Sequence, residues 1–185
     1  MVSAWERLFK KIVWKQLGDM EGKKILDFGS GEGITANHFA EKNDVTAIEP
    51  SKKMLSNAWK DYEYTQIVGD VNALSAFKNE TFDMIICHNV LEYIDDKAAV
   101  VKALARVLKD GVSYVLVFKL SRFGRNAADV LATLQVMQDF GVNLICVEDG
   151  IDSSKDAGKL MISVLSAVAE IERENIRVQT MEGRM

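Results

Sequence analysis

The feature of this sequence that most limits its fold is an alternation of short, β-branched apolar runs with longer segments of helical periodicity. Runs such as "KKILDFG", "DVTAIEP" and "FDMIICHN" predict strands, and the segments between them predict helices. Strands this uniformly apolar are buried on both faces, and a helix between successive strands makes the sheet parallel with right-handed crossovers. We therefore predict an α/β fold with a single doubly wound, mostly parallel, Rossmann-like sheet, helices on both faces and a long C-terminal helix.

Length and charge narrow the possibilities further. A chain of 185 residues is long enough for one well-cored domain, and neither a Gly/Ser linker nor a low-complexity tract divides it. We therefore expect residues 1–185 to form one α/β domain. The net charge of −4 lacks the excess of Lys and Arg that displaces counterions from nucleic-acid phosphates, so we do not expect DNA binding.

The N-terminal segment "SAWERLFKKIVWKQLG" carries too much charge for a secretion signal, and its apolar residues recur at helical spacing. We predict a helix that packs on the domain; the alternative is a helix that binds a membrane surface or a partner. No apolar run reaches the ~18 to 20 residues of a membrane span. Cys87 and Cys146 lie in apolar runs, as small core residues do, and suit a cytoplasmic protein without a disulfide.

The stretch "DFGSGEG" places Gly29, Gly31 and Gly33 directly after a predicted strand and before a predicted helix. Glycine permits positive φ and close backbone approach, so a ligand can lie against such a loop, where the free N–H groups of the helix point. A dinucleotide-binding fingerprint would need a further glycine at position 34, where Ile34 stands. The loop therefore predicts a different small-molecule site, or a turn of purely structural function.

Four motifs follow one another in the first part of the chain: "DFGSGEG", "AIEP", "IVGDVNAL" and "FDMIICHNVLEYI". By these motifs, residues 1–110 resemble a class I S-adenosylmethionine-dependent methyltransferase. The resemblance implies S-adenosylmethionine as a small-molecule cofactor. The contacts it implies are Asp27, Gly29, Gly31 and Gly33 at the methionine part, Glu49 at both ribose hydroxyls, Asp70 and Val71 beside the adenine, His88 and Asn89 at the methionine end, and Tyr93 at the site mouth.

Other interpretations of these residues stay open. Glu49 is alternatively a solvated acid at a strand end, and His88 a packed or capping histidine. Methyl transfer from a sulfonium is a direct displacement that requires an oriented acceptor and the exclusion of water, so we predict neither a catalytic side chain nor a metal. The resemblance implies that segments after the fourth and fifth strands choose the acceptor. Here those segments are missing or foreign, so the sequence supports cofactor binding but identifies no methyl acceptor.

From Gly111 onward the pattern changes, and "KLSRFGRNAAD" and "EIEREN" bring in three arginines, Arg122, Arg125 and Arg173. Residues 111–185 resemble the second half of the catalytic domain of a serine recombinase of the resolvase/invertase type. The resemblance implies that these arginines hold a scissile phosphate, to which planar guanidinium groups donate paired hydrogen bonds. It also implies that the catalytic serine belongs to the half that is replaced here, and Ser121 stands where an aspartate is usual. We therefore predict vestigial arginines and no recombination.

The last segment, Ser154–Met181, is predicted to be one long amphipathic helix. Its apolar stripe consists of Leu160, Met161, Val164, Leu165, Val168 and Ile171. At 1.5 Å per residue such a helix is about 40 Å long and could overhang a small domain. The resemblance to recombinases implies that the stripe packs across a dimer, so we expect a homodimer through this helix.

The two resemblances together indicate a chimera of two fragments, joined between Val107 and Ser113. Both families alternate strands and helices, so one can supply a strand and its covering helix to the other if the buried faces match. We interpret the origin as engineered, because a natural fusion would normally retain whole domains. Three functions follow as hypotheses: a cofactor-binding domain, a purely structural chimera without activity, and a dimerising or weakly DNA-associating module.

Overall fold

The computed structural model describes residues 10–11, 14–15, 17–88, 90–109, 113–117, 120, 123, 127–146, 149–156, 158, 160–164 and 167. The chain divides into two compact units. The first unit comprises Met1–Val90 and Ala99–Gly111, and the second comprises Leu91–Ala98 and Val112–Met185. The first unit therefore contains most of the methyltransferase-like residues, and the second unit contains the recombinase-like residues.

The first unit contains a four-stranded parallel sheet in the order β3-β2-β1-β4. Its strands are β1 (Lys24–Phe28), β2 (Asp44–Glu49), β3 (Thr65–Val68) and β4 (Met84–Ile86). The chain moves outward from β1 to β3 and then returns to the other side of β1 to form β4. The order of the strands thus switches between β1 and β4, and in open α/β sheets ligands bind beside such a switch, outside the carboxyl ends of the strands.

Besides the helical residues of the N-terminal segment, the described part of the first unit contains α1 (Ile34–Ala40), α2 (Lys52–Ser56) and most of α3 (Lys97–Val107). A 3₁₀ helix, Val71–Ala76, follows β3. Ser51 caps α2 by accepting the N–H of Met54, as its position before the helical run predicts.

The core of the first unit lies between β1, β2, β4 and α1. Its buried residues are Ile25, Ala36, Phe39, Val45, Ala47 and Ile86. Trp14 and Leu17, in helical residues of the N-terminal segment, pack against this cluster, and the Trp14 ring stacks on His38 at 3.8 Å. In its described residues, the N-terminal segment is thus a helix packed on the domain, which was the favoured interpretation.

The second unit contains a three-stranded sheet of β5 (Ser113–Val117), β6 (Val142–Cys146) and β7 (Ile151–Asp152). Helix α4 (Ala127–Asp139) connects β5 to its parallel neighbour β6, and β7 pairs antiparallel with β6. A 3₁₀ helix, Leu91–Tyr93, also belongs to this unit. Buried residues of the unit include Phe123, Val130, Leu134, Met137, Leu144 and Cys146.

The α/β class and the mostly parallel strands are confirmed, but the expected continuity of the sheet is corrected. Among the described residues β5 pairs with β6, and β4 pairs with β1, so the strands form two sheets. The physical reason is local connectivity: α4 returns the chain directly beside β5, so β5 and β6 meet at a small cost in loop-closure entropy. The recombinase-like part of the chain contains all of this strand–helix–strand unit.

None of the described helices is both long enough and apolar enough to cross a membrane. Cys87 and Cys146 are buried free thiols, in agreement with their prediction as small core residues.

Candidate functional site

The carboxyl ends of β1, β2 and β4 bring three of the predicted site residues to one edge of the first unit's sheet. Asp27, near the end of β1, pairs in register with Ala47 of β2 and Ile86 of β4. Glu49 is the last residue of β2, and His88 follows β4 by two positions. The edge includes the switch in strand order, where a ligand site is expected.

The loop after β1 has left-handed backbone at all three predicted glycines, with φ of 74° at Gly29, 59° at Gly31 and 68° at Gly33. A Cβ at Gly29 would overlap the side chain of Val90, and one at Gly33 would overlap the hydroxyl of Tyr64. At Gly31 the nearest atom to such a Cβ is Met54 Sδ at 4.0 Å. Packing therefore requires glycine at the two outer positions, whereas the middle position borders open space.

Glu49 is held in place by the backbone around it. Its Oε2 accepts the N–H of Gly31 at 2.9 Å, and its Oε1 accepts the N–H of Ser51 at 2.9 Å. The residue is 7% exposed, so it is not a solvated strand-end acid. Each carboxylate oxygen has two lone pairs, and the fixed side chain therefore retains acceptor capacity on both oxygens.

Asp27 is a buried carboxyl with unused acceptor capacity. It is 3% exposed, and its Oδ2 accepts no hydrogen bond from the described part of the chain. Burial raises the pKa of Asp27 to about 6, against the lowering effects of the Lys10 charge and of the Ala36 backbone N–H. The carboxyl is therefore ionised at neutral pH although it is buried. The hydroxyl of Ser30, in the same loop, is likewise buried without a hydrogen bond among the described residues.

His88 lies half-buried after β4, and burial, with the Lys10 charge, lowers the pKa of His88 to about 4. The imidazole is therefore neutral at neutral pH. Burial, with the Asp27 charge, raises the pKa of the neighbouring Cys87 thiol to about 12, which makes this cysteine unreactive. Asn89 lies outside the described residues, and Tyr93 is exposed and belongs to the second unit.

Lys10 is the site residue that the sequence reasoning missed. Its Nζ donates a hydrogen bond to Thr35 Oγ1 at 3.0 Å, and its charge acts on both Asp27 and His88. Thr35 is the second residue of α1, directly after the glycine loop. The spacing of Lys10 and Trp14, four residues apart, was the available signal, because it places a lysine on the helix side that contacts the domain.

Asp70 and Val71 follow β3 at the same edge, since the N–H of Gly69 donates to the carbonyl of Glu49 at 3.2 Å. Asp70 is exposed, and its Oδ1 accepts the backbone N–H of Asn72 at 2.9 Å and the Asn72 side-chain amide at 3.0 Å. It thereby caps the Val71–Ala76 3₁₀ helix. Asp70 therefore has a structural role in addition to any contact with a ligand.

The three recombinase-type arginines, Arg122, Arg125 and Arg173, lie outside the described residues, so their role stays a prediction. In the second unit the structure describes the carboxylate of Asp149, whose Oδ2 accepts the N–H of Leu120 at 2.7 Å and the Cys146 thiol at 2.8 Å.

Comparison with protein families follows the division of the chain. Residues 88–185 match the family profile of the resolvase N-terminal domain. The chain belongs to the resolvase family. Residues 26–116 match the profile of a methyltransferase domain, so a methyltransferase-like part is fused to the resolvase-like part. The two matches overlap over residues 88–116, which include α3 and the predicted join between Val107 and Ser113.

The individual relatives also fall into two groups, resolvases and methyltransferases. The chain is 37% identical to a Transposon Tn3 resolvase from Escherichia coli over 81 residues, which is 44% of this chain and 44% of the resolvase. It is 35% identical to the Ubiquinone biosynthesis O-methyltransferase of Paracidovorax citrulli (strain AAC00-1) over 104 residues, which is 51% of this chain and 43% of that enzyme. The chain thus spans less than half the length of these two curated relatives.

One solved structure shows the fold of the first part. It comes from Anabaena variabilis, is assigned as a methyltransferase of an antibiotic biosynthesis pathway, and superposes with a TM-score of 0.52 at 23% identity. The superposition covers 62% of this chain and 46% of that one. The two-part resemblance that the sequence motifs predicted is confirmed.

Proposed function

We propose that the first unit binds S-adenosylmethionine in the manner of a methyltransferase domain. The observation that carries the proposal is Glu49, a buried carboxylate at the end of β2 that the backbone N–H groups of Gly31 and Ser51 orient. Two fixed acceptor oxygens with spare lone pairs suit the adjacent hydroxyls of a ribose. The match of residues 26–116 to a methyltransferase domain supports the same ligand.

The other residues at this edge fit the remaining parts of the cofactor. The free Oδ2 of Asp27 suits the ammonium group of the methionine part, and the open space at Gly31 admits a ligand close to the backbone. Asp70 and Val71 would lie beside the adenine, and His88 at the methionine end. The bound cofactor supplies a methyl group on a sulfonium, and the protein's own residues bind and orient it.

Methyl transfer and recombination are outside this proposal. The segments that follow the shared region resemble a resolvase and not a methyltransferase, which supports a protein without a methyltransferase-type acceptor site. In turn, methyltransferase-like sequence takes the place of the resolvase half that would carry the catalytic serine. We propose a cofactor-binding protein without either activity, in the cytoplasm, formed by a deliberate join of two fragments.

Isothermal titration with S-adenosylhomocysteine tests the proposal. The wild-type protein should release heat on binding, and Glu49→Ala should weaken the affinity at least about tenfold, because it removes both acceptors. Glu21→Ala is the matched control, since Glu21 is an exposed acid of the same unit and should leave the affinity unchanged. If the wild type gives neither heat nor a thermal shift at millimolar ligand, the purely structural alternative is correct.

We also propose that the chain forms a homodimer through its C-terminal helix. Among the described residues of this helix, Leu160 is 68% exposed, Met161 43% and Val164 50%. Apolar side chains that are exposed together on one helix mark an interaction surface. A net charge of −4 favours a protein partner over DNA, and a second copy offers the same apolar stripe.

Sedimentation equilibrium tests the dimer. The wild type should show a mass that rises with concentration towards twice the monomer, and Val164→Glu should hold the protein at the monomer mass. A change of the exposed Lys155 to Glu, at the start of the same segment, is the control for added negative charge. A monomer mass at all concentrations of the wild type would contradict the proposal, and a mobility shift of DNA that weakens steeply with salt would favour the nucleic-acid alternative.

A further inference from the structure

Strand β3 forms one edge of the first unit's sheet, and among the described strands only β2 pairs with it. The N–H of Gly69, directly after the strand, donates to the carbonyl of Glu49 in β2 at 3.2 Å. Because successive residues of a strand direct their main-chain groups to opposite sides, Ile67 also faces β2, whereas Gln66 and Val68 face away from it. The outward N–H and carbonyl groups of these two residues therefore have no partner within the described part of the chain.

The outer side of β3 is open to an added strand. Val68 is 52% exposed, and Thr65, at the beginning of β3, is exposed as well. Unpaired main-chain groups at a sheet edge form hydrogen bonds with an extended segment of another chain, and the side chains of that segment decide which segment binds. Side chains at opposite positions of two paired strands lie on the same face, so residues opposite Gln66 and Val68 meet the surroundings of these two side chains.

A cleft of about 460 Å³ lies where β3 begins, and it is lined by Lys60, Asp61, Tyr62, Glu63, Tyr64 and Gln66. Asn37 of α1, which is 5% exposed, holds the loop before the strand in place. Its Oδ1 accepts the N–H groups of Asp61 at 2.8 Å and of Tyr62 at 3.1 Å. The hydroxyl of Tyr64 donates to the carbonyl of Trp59 at 2.7 Å. These bonds shape the cleft without a ligand, which lowers the entropy lost on binding.

The cleft is negatively charged and partly aromatic. Its lining contains two carboxylates and one lysine, and the charge of Glu41 is close enough to raise the pKa of Tyr62. Glu63 is exposed, and its carboxylate has no hydrogen-bond or ion-pair partner in the part of the chain that the structure describes. The Tyr62 side chain is 41% exposed. A carboxylate beside an accessible aromatic ring complements the side chain of a lysine or an arginine.

A second copy of this edge fits the charge less well. In an antiparallel pair of two β3 strands, Asp61 and Glu63 before one strand approach Asp70 after the other. Like charges that face each other across a strand pair are destabilising. A basic segment of a different protein avoids this repulsion, because it brings positive charge to the same carboxylates.

We propose that the outer side of β3 binds an extended peptide segment of a partner protein, with a lysine or arginine in the cleft and an apolar residue two positions away. The basic residue stands opposite Gln66, whose side chain lines the cleft, and the apolar residue stands opposite the exposed Val68. Main-chain hydrogen bonds hold the segment, and Glu63 and Tyr62 select its charge. This inference does not depend on cofactor binding, because it uses the amino end and the outer side of β3.

Fluorescence anisotropy with two labelled peptides tests the charge of the partner segment. The probe is Thr-Val-Thr-Lys-Thr-Val-Thr, which reads the same in both directions and so fits a parallel or an antiparallel strand. The control peptide has glutamate in place of lysine. The lysine peptide should bind at submillimolar concentration, and the glutamate peptide should bind at least about tenfold more weakly.

Two charge reversals in the protein locate this preference. Glu63→Lys should remove the preference for the lysine peptide, because it replaces the free carboxylate of the cleft with a cation. Glu21→Lys is the matched control, since Glu21 is an exposed acid of the same unit outside the cleft lining. It should keep the preference of the wild type.

Val68→Pro tests the strand pairing. It removes an outward N–H and leaves the hydrogen bonds to β2, and proline is tolerated where the N–H of an edge strand faces solvent. The lysine peptide should bind this variant at least about tenfold more weakly, whereas Val68→Thr, which keeps the N–H, should bind within about twofold of the wild type. If Val68→Pro does not fold, hydrogen exchange of the wild type decides, because the peptide should slow exchange of the Gln66 and Val68 amides.

The proposal is wrong if neither peptide binds the wild type at millimolar concentration, or if both bind it equally. Equal binding of the lysine peptide to Val68→Pro and Val68→Thr would mean that the peptide does not pair with β3. If instead no peptide binds and Val68→Pro lowers the mass seen in sedimentation equilibrium, a second copy occupies the edge.

Discussion

Asp129 of the second unit and Asp27 of the first are both carboxylates beside a lysine, yet the fold uses them differently. Asp129, near the start of α4, pairs directly with Lys97, which is 5% exposed. Asp27 has Lys10 nearby, but its Oδ2 accepts nothing from the described residues, and burial raises its pKa to about 6. The first pair is complete as a structural element. Asp27, in contrast, keeps one carboxylate oxygen without a donor among the described residues, which fits the ligand site proposed above.

The largest effect should come from breaking the complete pair. Asp129→Ala leaves the ammonium of Lys97 buried without its partner, and losing one member of a buried pair costs about 3 kcal/mol or more. Urea unfolding followed by far-ultraviolet circular dichroism measures the loss.

Asp139→Asn is the matched control, since Asp139 is exposed at the end of the same helix and bonds the Gln135 side chain. Its cost should stay within about 0.5 kcal/mol. If Asp129→Ala costs no more than this control, the ion pair is not a stabilising part of the second unit, and the contrast with Asp27 fails.

At Asp27 we expect a substitution to increase the stability of the protein, not to reduce it. Its pKa rises from 3.8 unfolded to about 6 folded, so the folded state binds more protons between these values and loses stability as pH rises through them. Asp27→Asn removes this cost and should stabilise the first unit by about 2 to 3 kcal/mol at pH 7, with little effect at pH 4. It should also abolish binding of S-adenosylhomocysteine.

The pKa shift of His88 makes the wild-type stability nearly independent of pH, and it gives this prediction a second measurement. Its pKa falls from 6.5 unfolded to about 4 folded, so the unfolded state binds more protons in that window and stability increases as pH rises. The two slopes oppose each other in the wild type, whereas Asp27→Asn leaves the His88 slope alone. Tryptophan fluorescence is the suitable probe, since Trp5, Trp14 and Trp59 all belong to the first unit. An acid-insensitive Asp27→Asn variant would contradict the lowered pKa of His88.

Sequence patterns predicted which candidate site residues lie together better than they predicted how the strands pair. Asp27, the glycine loop and Glu49 could be placed because each follows an apolar run, and parallel strands bring their carboxyl ends to one edge. The pairing of β5 was not readable, because periodicity shows that a segment is a strand but not which strand it pairs with. Lys10 was missed for a related reason: where its flexible side chain reaches depends on how the N-terminal helix packs.

The smallest change in stability is expected in the glycine loop, where two substitutions separate room for a ligand from packing against the protein. Gly31→Ala meets only the backbone strain of φ 59°, about 1 kcal/mol, because the space around it is open. Gly33→Ala carries the same strain and also overlaps the Tyr64 hydroxyl, so it should destabilise the first unit more. In titrations with S-adenosylhomocysteine, Gly31→Ala should nevertheless weaken binding markedly, since its methyl group occupies room that the ligand needs. Full affinity in Gly31→Ala would mean that the ligand lies away from the glycine loop, and that it does not bind the Asp27 carboxyl.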